Sequence, residues 1–567
     1  MSSNWFLYNK RKNVKEISQK FGIDALTSVI LCNREIYEDD DIKKILSEDL
    51  NDLNDAKLLP DVDLASKILF EYVSSKKSIR IIGDYDIDGV CSTFILYDAL
   101  KRLGANVSYA IPDRLSDGYG INISLIDAAI NDKVELIITC DNGIAAAEQI
   151  SYAKKNNIEV IVTDHHDISE LPSDALAIVD PKRKDVDRPY PFENICGAVV
   201  AWKLMMRYYE LYVDDSDFVL ENYIDFAMLA TIGDIMPLIN ENHIIAKVGL
   251  KKILNTKNNG LKKLLEVTGI DFENKNVTTY HVGFIIGPLI NAAGRMDKAT
   301  LALRLFISND HSEIDEIAEE LKLLNDERKK MTEDGFKLAI SNIESSLKDD
   351  KVIVVFVEGL GEQVAGIVAG RIKEKYNKPT IVLTSTINSD EAKASCRSIE
   401  AYDIFEALSA HKEMFLKFGG HKLAAGFSML KKDIDKLREA LNFECKLTDD
   451  DFIPKIHIDA EVPFYNFDLR LVSELGRLEP YGQTFQRPVF ATKTVKCNIK
   501  NVYGAENNVV QLVLNKDGKV LRAVAFTDSE PLKARLDQND IVDIVFNPKI
   551  KELRGEKSVE INVLEYR

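Results

Sequence analysis

Acidic residues and histidines follow three apolar runs of this chain, at the points where each run ends. Each run has the length and the β-branched composition of a buried parallel strand. A further acidic residue, Asp234, ends a helical stretch that we predict over 223–232. Side chains at the carboxyl ends of neighbouring parallel strands share one crevice, so we expect these groups to meet. The three clusters are Gly83-Asp84-Tyr85-Asp86-Ile87-Asp88-Gly89, Cys140-Asp141-Asn142-Gly143 and Asp164-His165-His166.

Groups of these types bind divalent cations. Carboxylate oxygens are the ligands that Mg²⁺ and Mn²⁺ prefer, and imidazole nitrogens shift the preference toward Mn²⁺. Two such cations, roughly 3.5 to 4 Å apart, can activate a water and stabilise the leaving oxygen of a phosphodiester, with one carboxylate bridging them. The clusters therefore predict a two-metal phosphoesterase.

The first cluster also has the Asp-x-Asp-x-Asp-Gly spacing that begins a calcium-binding EF-hand loop. An EF-hand needs a bidentate Glu at the twelfth position, where this chain has Ile95, and a helix before the loop, where this chain has a strand-like run. Calcium storage and a functionless acidic turn are accordingly the weaker interpretations.

The order of the elements predicts an α/β protein. Strands alternate with helices from about 65 to 240, as in a parallel sheet that is covered on both faces. The helices next to the clusters are predicted at 93–103, 124–130 and 145–155, and a long charged helix at 312–347 connects two lobes. We predict five regions: a helical lead-in over 1–60, a catalytic domain over 61–240, a helical region with the connecting helix over 241–348, a smaller α/β domain over 349–435, and an OB-like β-barrel over 450–567.

Composition and charge limit the partners and the cell compartment that we expect for this protein. The 567 residues carry a formal charge of −18, but the stretch from Arg487 to Arg567 has 14 Lys/Arg against 11 Asp/Glu. A polyanionic partner is therefore compatible with the barrel, although the average charge argues against one. No apolar run reaches the ~18 residues of a membrane span, and neither a signal peptide nor a Cys-x-x-Cys pair is evident. We expect a cytoplasmic protein with reduced thiols.

The clusters resemble, in order and spacing, the successive motifs of the DHH phosphoesterase superfamily, a two-lobed fold of a DHH and a DHHA1 domain. Together with the C-terminal barrel they are similar to the RecJ branch of that superfamily, whose members are single-strand-specific 5′→3′ exonucleases of DNA recombination and repair that release 5′-mononucleotides. Four later segments resemble the DHHA1 half: Asn291-Ala292-Ala293-Gly294-Arg295-Met296, Gly366-Ile367-Val368-Ala369-Gly370-Arg371, Ser395-Cys396-Arg397-Ser398 and Phe418-Gly419-Gly420-His421.

The resemblance implies roles for the residues of the first half. Asp141 would bridge two Mn²⁺ or Mg²⁺ ions, and His166 would face the scissile phosphate and stabilise its developing charge. Asp84 and Asp164 would orient the ligands. The implied metal ligands are Asp86, Asp88, Asp141, His165 and Asp234.

The resemblance also implies how the substrate binds. Ser395, Arg397 and Arg295 correspond to a pocket for the 5′-phosphate, since guanidinium groups suit bidentate phosphate recognition. The single strand would pass between the lobes, and the barrel would hold it further along. The remaining residues predicted to bind substrate are Arg371, His421, Arg114 and Tyr119.

The family acts on single-stranded DNA beside a single-strand-binding protein and a RecQ-type helicase, so we expect these partners, no membrane contact and a monomer. Two alternatives stay open at this point. A DHH oligoribonuclease or small-nucleotide phosphatase is typically shorter and lacks the barrel. An inactive DNA-binding replication scaffold would not need the intact ligand set. ATP hydrolysis is disfavoured because Ile367-Val368 stands where a phosphate loop requires Lys and Ser/Thr.

Overall fold

The computed structural model describes residues 3–10, 12–113, 118–270, 277–296, 298–386, 390–504, 506–553 and 555–567. Its contacts divide the chain into two compact units. The larger unit comprises Trp5–Pro288, Ala302–Asp315 and Ile456–Arg567, and the smaller unit consists mainly of Leu289–Leu301 and Glu316–Lys455. Among the described residues, no helix combines the length and the apolarity that a membrane span requires.

The N-terminal segment is mostly helical, as its composition predicts, and it packs within the larger unit. Asn33 and Arg34, at the end of the second helix, both donate hydrogen bonds to the buried carboxylate of Asp459, which lies just before the barrel. The elements are β1 (Asn4–Leu7), α1 (Val14–Phe21), α2 (Ala25–Asn33), α3 (Asp39–Leu46) and α4 (Val62–Ser74).

A five-stranded parallel sheet follows, and it positions the clusters. Its strand order is β3-β2-β4-β5-β6, and a helix follows each of the strands β2, β3 and β4 along the chain. The apolar runs form these strands because both faces of the sheet are covered. The elements are β2 (Ser78–Ile82), α5 (Ile87–Arg102), β3 (Asn106–Ala110), α6 (Ile123–Asn131), β4 (Leu136–Cys140), α7 (Ala147–Lys155), β5 (Glu159–Thr163) and β6 (Ala177–Val179).

Helix α5 begins earlier than predicted. The sequence predicts a helix over 93–103, whereas α5 starts at Ile87, inside the first cluster. The Asp86 side chain caps it by accepting the N–H groups of Asp88 and Gly89 at 3.0 and 3.1 Å. This N-cap, which Asp favours, places Asp88 on the first helical turn. The predicted helices at 124–130 and 145–155 correspond to α6 and α7 within two residues at each end.

The chain then becomes helical, as predicted for 241–348. A π-helical turn at Val282–Ile286 joins two of the helices. The long charged helix predicted over 312–347 is present, and it begins in the larger unit and continues in the smaller one. The helices are α8 (Gly197–Tyr212), α9 (Ser216–Asn222), α10 (Ile224–Gly233), α11 (Glu241–Lys252), α12 (Asn259–Val267), α13 (Thr279–His281), α14 (Gly287–Arg295), α15 (Thr300–Ile307) and α16 (His311–Ser346).

The smaller unit contains a mixed five-stranded sheet of order β10-β11-β9-β8-β7. Only β7 and β8 are parallel, and α17 connects them. The elements are β7 (Ile353–Phe356), α17 (Glu362–Tyr376), β8 (Thr380–Ser385), β9 (Glu391–Arg397), α18 (Ile404–Ser409), β10 (Phe415–His421), β11 (Ala424–Leu430) and α19 (Ile434–Glu444).

The C-terminal strands form the predicted OB-like barrel. The strands follow the order β14-β15-β16-β18-β17, and pairing of β14 with β17 closes the sheet. A helix lies between the third and fourth barrel strands, as in an OB-fold. The elements are β12 (Lys455–Ile458), β13 (Ala460–Glu461), α20 (Leu469–Gly476), β14 (Phe490–Tyr503), β15 (Val509–Lys516), β16 (Lys519–Phe526), α21 (Ser529–Gln538), β17 (Ile541–Leu553) and β18 (Glu556–Tyr566).

Candidate metal centre and phosphate pocket

The three sequence clusters meet at one edge of the parallel sheet. Strand β4 pairs with β2 on one side and with β5 on the other, in parallel. The carboxyl ends of the three strands are therefore neighbours. Asp141 follows β4 directly, Asp164 follows β5 directly, and Asp84 lies two residues after β2. Asp234, the C-cap residue of α10, joins them.

His165 lies at the centre of the group. Its Nε2 atom is 3.1 Å from Asp141 Oδ1, 3.5 Å from Asp88 Oδ2 and 3.9 Å from Asp234 Oδ2. Within the described part of the chain, the buried His165 Nδ1 and Asp84 Oδ2 atoms have no hydrogen-bond partner. An unpaired carboxylate oxygen such as Asp84 Oδ2 is available to a divalent cation.

The donor set fits divalent cations. Three groups of residues each place their potential ligand atoms within 4.8 Å of one another. The ligands are carboxylate oxygens and imidazole nitrogens, which suit Mg²⁺ and Mn²⁺. The groups are Asp141-His165-His166, Asp88-His165-Asp234 and Asp84-Asp86-Asp141.

The raised pKa values of the carboxylates also favour the binding of cations. Burial raises the pKa of Asp84 to about 8, and the charge of Asp86 adds to that rise. Burial together with the charge of Asp88 raises the pKa of Asp234 to about 8 and the pKa of Asp141 well above its ordinary value. Like charges held together out of water repel, and a bound cation reverses that effect.

Asp141 has a strained backbone. Its φ of 60° lies in the left-handed region, which residues other than glycine seldom adopt. The Asp141 N–H donates to the Thr163 carbonyl at 3.1 Å, and the Tyr119 hydroxyl donates to the Asp141 carbonyl at 2.6 Å. Such strain persists where the surrounding structure imposes it, and it is typical of functional sites.

Asp164 forms hydrogen bonds with both histidines. Its Oδ1 accepts the N–H groups of His165 and His166 at 2.7 and 3.2 Å and lies 2.7 Å from His166 Nδ1. Its Oδ2 accepts the Ile144 N–H at 2.9 Å. His166 Nε2 lies 3.2 Å from the Tyr119 hydroxyl oxygen. These contacts hold the His166 imidazole beside the Asp164 carboxylate.

The two adjacent histidines have opposite properties. Burial is the largest influence on both, and it lowers the pKa of His165. For His166 the hydrogen bond and the charge of Asp164 outweigh burial and raise the pKa to about 9. In the absence of cations, His165 is therefore neutral and suited to ligation near pH 7, whereas His166 carries a proton.

Two features of this centre were not predicted from the sequence. The amide groups of Gly197 and Ala198, at the start of α8, donate to the carboxylate of Asp88 at 2.7 Å each. Asp180, which follows β6, is fully buried, and burial raises its pKa to about 7. Its position after a fourth parallel strand was the signal, but β6 is only three residues long.

The smaller unit brings together three of the predicted substrate-binding residues. Ser395 and Arg397 lie two residues apart on β9, so both project from one face. That face meets Gly366 of α17, where an added Cβ would lie 3.2 Å from Arg397 Nη2 and 3.6 Å from Ser395 Oγ. Arg295 Nη1 donates to the Gln363 carbonyl in the first turn of the same helix at 2.9 Å.

The other predicted substrate-binding residues lie elsewhere. The Arg371 guanidinium is 3.1 Å from a carboxylate oxygen of Glu333, and His421 is exposed at the end of β10. Tyr119 contacts the metal centre of the larger unit, as described above. Arg114 lies outside the described residues.

Comparisons with known proteins match all three parts of the chain. Residues 78–231 match the DHH family, N-terminal domain. Residues 349–446 match the DHHA1 domain, and residues 458–565 match the RecJ OB domain. The three matches occur in the order that the sequence motifs predict.

Whole proteins match over nearly the entire length. The single-stranded-DNA-specific exonuclease RecJ of Bacillus subtilis is 32% identical over 554 residues, which cover 97% of this chain and 69% of that protein. The protein of the same name from Haemophilus influenzae is 31% identical, over 92% of this chain and 93% of its own length. The crystal structure of RecJ from Thermus thermophilus in complex with Mn²⁺ has a TM-score of 0.83 at 25% identity, covering 100% of this chain and 79% of that one. The oligoribonuclease and scaffold alternatives are not favoured by these relatives. The chain belongs to the RecJ family of single-stranded-DNA-specific exonucleases.

Proposed function

We propose that this protein hydrolyses single-stranded DNA from its 5′ end and releases 5′-mononucleotides, with two divalent cations held at the metal centre. The observation that carries the proposal is the convergence of the Asp88, Asp141 and Asp234 carboxylates on His165 Nε2, at 3.1 to 3.9 Å. Family membership supports the substrate class and the reaction.

Two cations bound at the centre would activate a water and stabilise charge on the phosphoryl group. The proposed ligands would hold both cations. Asp141 lies in two of the three potential ligand groups, which supports its role as the bridging carboxylate. His165 and Asp88 would bind one cation, and Asp86 the other. Asp84, which has a buried unpaired oxygen, could bind a cation directly or orient one of the ligands.

His166 is placed to act on the phosphate. The hydrogen bond from Nδ1 to Asp164 leaves its Nε2 atom directed away from that carboxylate, where it contacts only the Tyr119 hydroxyl among the contacts described. Because the Tyr119 hydroxyl donates to the Asp141 carbonyl, its oxygen accepts a hydrogen bond from the Nε2–H group of the protonated ring. A substrate phosphate oxygen that replaces Tyr119 as acceptor would receive the same hydrogen bond as charge develops.

The residues around the start of α17 form the proposed pocket for the 5′-phosphate. Two guanidinium groups, from Arg295 and Arg397, and the Ser395 hydroxyl gather at the first turns of this helix. Burial lowers the pKa of Arg397, the direction expected of a cation that a phosphate would compensate. Because Gly366 has no side chain, the Arg397 guanidinium and the Ser395 hydroxyl can lie close against α17.

The barrel carries a surface that suits unpaired bases. Tyr503 of β14, Val509 of β15 and Phe526 of β16 are cross-strand partners in one row, and Tyr503 and Phe526 are 51% and 70% exposed. Amide side chains form the next row, where Asn501 donates to Gln511 at 3.2 Å. Exposed aromatic rings stack on bases of any sequence, and this face lies on the strands with which OB-folds bind oligonucleotides.

One assay tests the proposal. Oligonucleotides labelled at the 5′ or the 3′ end, single- or double-stranded, are incubated with the protein and Mn²⁺, Mg²⁺ or chelator. We expect mononucleotides to appear first from the 5′ end of single strands, and only with a cation. Activity with chelator present would contradict the metal-dependent mechanism, and release from the 3′ end would contradict the direction.

We also propose that the chain acts in the cytoplasm as a monomer, beside a single-strand-binding protein and a RecQ-type helicase. The family resemblance supports these partners. Pull-down of either protein by this chain, with a barrel-deleted chain as the comparison, tests them.

A further inference from the structure

The start of helix α8 contacts two of the proposed metal ligands at once. The Gly197 N–H donates to Asp88 Oδ2 and the Ala198 N–H donates to Asp88 Oδ1, both at 2.7 Å. Asp88 is 1% exposed, so protein groups such as these two amides take the place of water around its carboxylate. Two short hydrogen bonds fix the plane of this carboxylate.

These bonds serve the helix as well. The first amides of a helix have no intrahelical acceptor and usually bond to a side chain at the N-cap. The N-cap residue of α8, Cys196, makes no such bond. The amides of Val199 and Val200 reach the Cys196 carbonyl, at 3.0 and 3.1 Å, which leaves the first two amides for Asp88. A residue more than a hundred positions earlier in the chain therefore caps α8.

Gly197 also packs against Asp141. A Cβ atom added at Gly197 would lie 2.7 Å from the Asp141 Cβ, 3.0 Å from its Cα and 3.1 Å from its Oδ1. The Cα and Cβ atoms cannot rotate away as the end of a long side chain can. Asp141 is also the residue with the strained backbone. The missing side chain at 197 is what lets α8 reach Asp88 without displacing Asp141.

We propose that Gly197 is a positioning residue for the metal centre, through which the start of α8 sets the distance between the carboxylates of Asp88 and Asp141. This inference rests on the proposed function, because it assigns a role in that reaction. Gly197 has no side chain with which to bind substrate or cation. It acts through the two carboxylates, and any side chain at this position would separate them.

The expected effect follows from the distances. To restore an ordinary carbon contact, Gly197→Ala must move Asp141 or α8 by about 0.7 Å or more. Displacements of about 1 Å cost on the order of 100-fold in rate, and disturbed support of metal ligands costs about 10- to 100-fold in metal affinity. We expect kcat to fall about 100-fold and the Mn²⁺ concentration for half-maximal rate to rise at least about tenfold, with KM for a long single strand changed less than about threefold.

The matched control is Gly476→Ala. Gly476 is the last residue of α20 in the same unit, and apart from its chain neighbours and the backbone of its own helix no described atom lies within 4 Å of a Cβ added there. Both variants are tested as full-length protein with end-labelled single strands across a Mn²⁺ titration. Gly476→Ala should match wild type in kcat, KM and Mn²⁺ requirement. A merely structural role for Gly197 would lower the amount of active protein without shifting the Mn²⁺ midpoint.

A measurement on wild type covers the case in which Gly197→Ala does not fold. In protein labelled with [¹⁵N]alanine, the Ala198 amide resonance, identified by its loss in Ala198→Gly, should shift on titration with Mg²⁺ at the midpoint found for activity. A folded Gly197→Ala with wild-type kcat and Mn²⁺ midpoint would overturn the inference, as would an Ala198 resonance unmoved by saturating Mg²⁺. An inactive wild type would instead refute the proposed function.

Discussion

Removing divalent cations should make the stability of this protein fall as the pH rises. Asp84 is fully buried, and burial, reinforced by the charge of Asp86, raises its pKa to about 8. In the unfolded chain an aspartate has a pKa of about 3.9. Between these two values the folded protein keeps a proton that the unfolded chain has released. The free energy of unfolding therefore decreases with increasing pH across this window.

The size of the effect follows from the linkage relation. Each group of this kind lowers the free energy of unfolding by about 1.4 kcal/mol per pH unit, so Asp84 contributes about 2.7 kcal/mol between about pH 5.5 and pH 7.5. Asp234 also has a pKa raised to about 8, but its side chain is 34% exposed. Solvent screening reduces its share to about half that amount. Together, Asp84 and Asp234 should account for a loss of about 4 kcal/mol in the chelated protein over this range.

Urea unfolding at the two pH values, with chelator or with saturating Mg²⁺, measures this loss. A cation favours the ionised carboxylates, so the metal-loaded protein should lack most of the slope. Taking the difference between the two forms at each pH removes groups elsewhere, such as His243, whose pKa burial lowers to about 3. Asp84→Asn should abolish about 2.7 kcal/mol of the change in the chelated protein. A chelated protein whose stability is constant or rises from pH 5.5 to 7.5, relative to the metal-loaded form, would refute the reasoning.

Three further predictions test the proposed parts of the enzyme, and a fourth tests the fold. Asp141→Ala should abolish cleavage while leaving single-strand affinity in gel-shift assays nearly unchanged; turnover within tenfold of wild type would contradict the bridging role. Arg397→Ala should reduce the preference for 5′-phosphorylated over 5′-hydroxyl strands, measured as a ratio of rates, and an unchanged ratio would reject the pocket. Replacing Tyr503 and Phe526 together by Ala should weaken single-strand binding by about 1 to 3 kcal/mol per stacked base, with little effect on kcat. Lys203→Met should lower the free energy of unfolding by about 3 to 5 kcal/mol, because it leaves the fully buried carboxylate of Glu241, which lies 2.9 Å from the Lys203 ammonium, without a partner of opposite charge. A loss below about 1 kcal/mol in urea unfolding would contradict this.

Local patterns predicted the sheet and its site because the relevant signals are short in range. An apolar run that ends in Asp164-His165-His166 can be recognised as a strand followed by potential ligands, without knowledge of the rest of the chain. The long helix α16 was predicted within one residue at each end because its periodicity extends over many turns. The start of α5 was misplaced by six residues. The capping by Asp86 was not recognised, since its side chain was assigned only to cation binding.

Other features depend on groups that are distant in the sequence. The amides of Gly197 and Ala198 bond to Asp88, and no pattern around 197 signals an acceptor about a hundred residues away. The pairing of Arg371 with Glu333 is likewise visible only once α16 and α17 are packed. From the sequence alone, a basic residue that binds a phosphate cannot be distinguished from one that bonds to a carboxylate.

The sequence by itself determined which side chains could bind cations, the strands that carry them and the order of the domains, because residue types and periodicities are local properties. Only the tertiary structure decided how those side chains differ. His165 and His166 are neighbours of identical type, yet burial leaves one neutral while Asp164 keeps the other protonated. That difference arises from desolvation and from charges brought close by packing, and both depend on the folded chain as a whole.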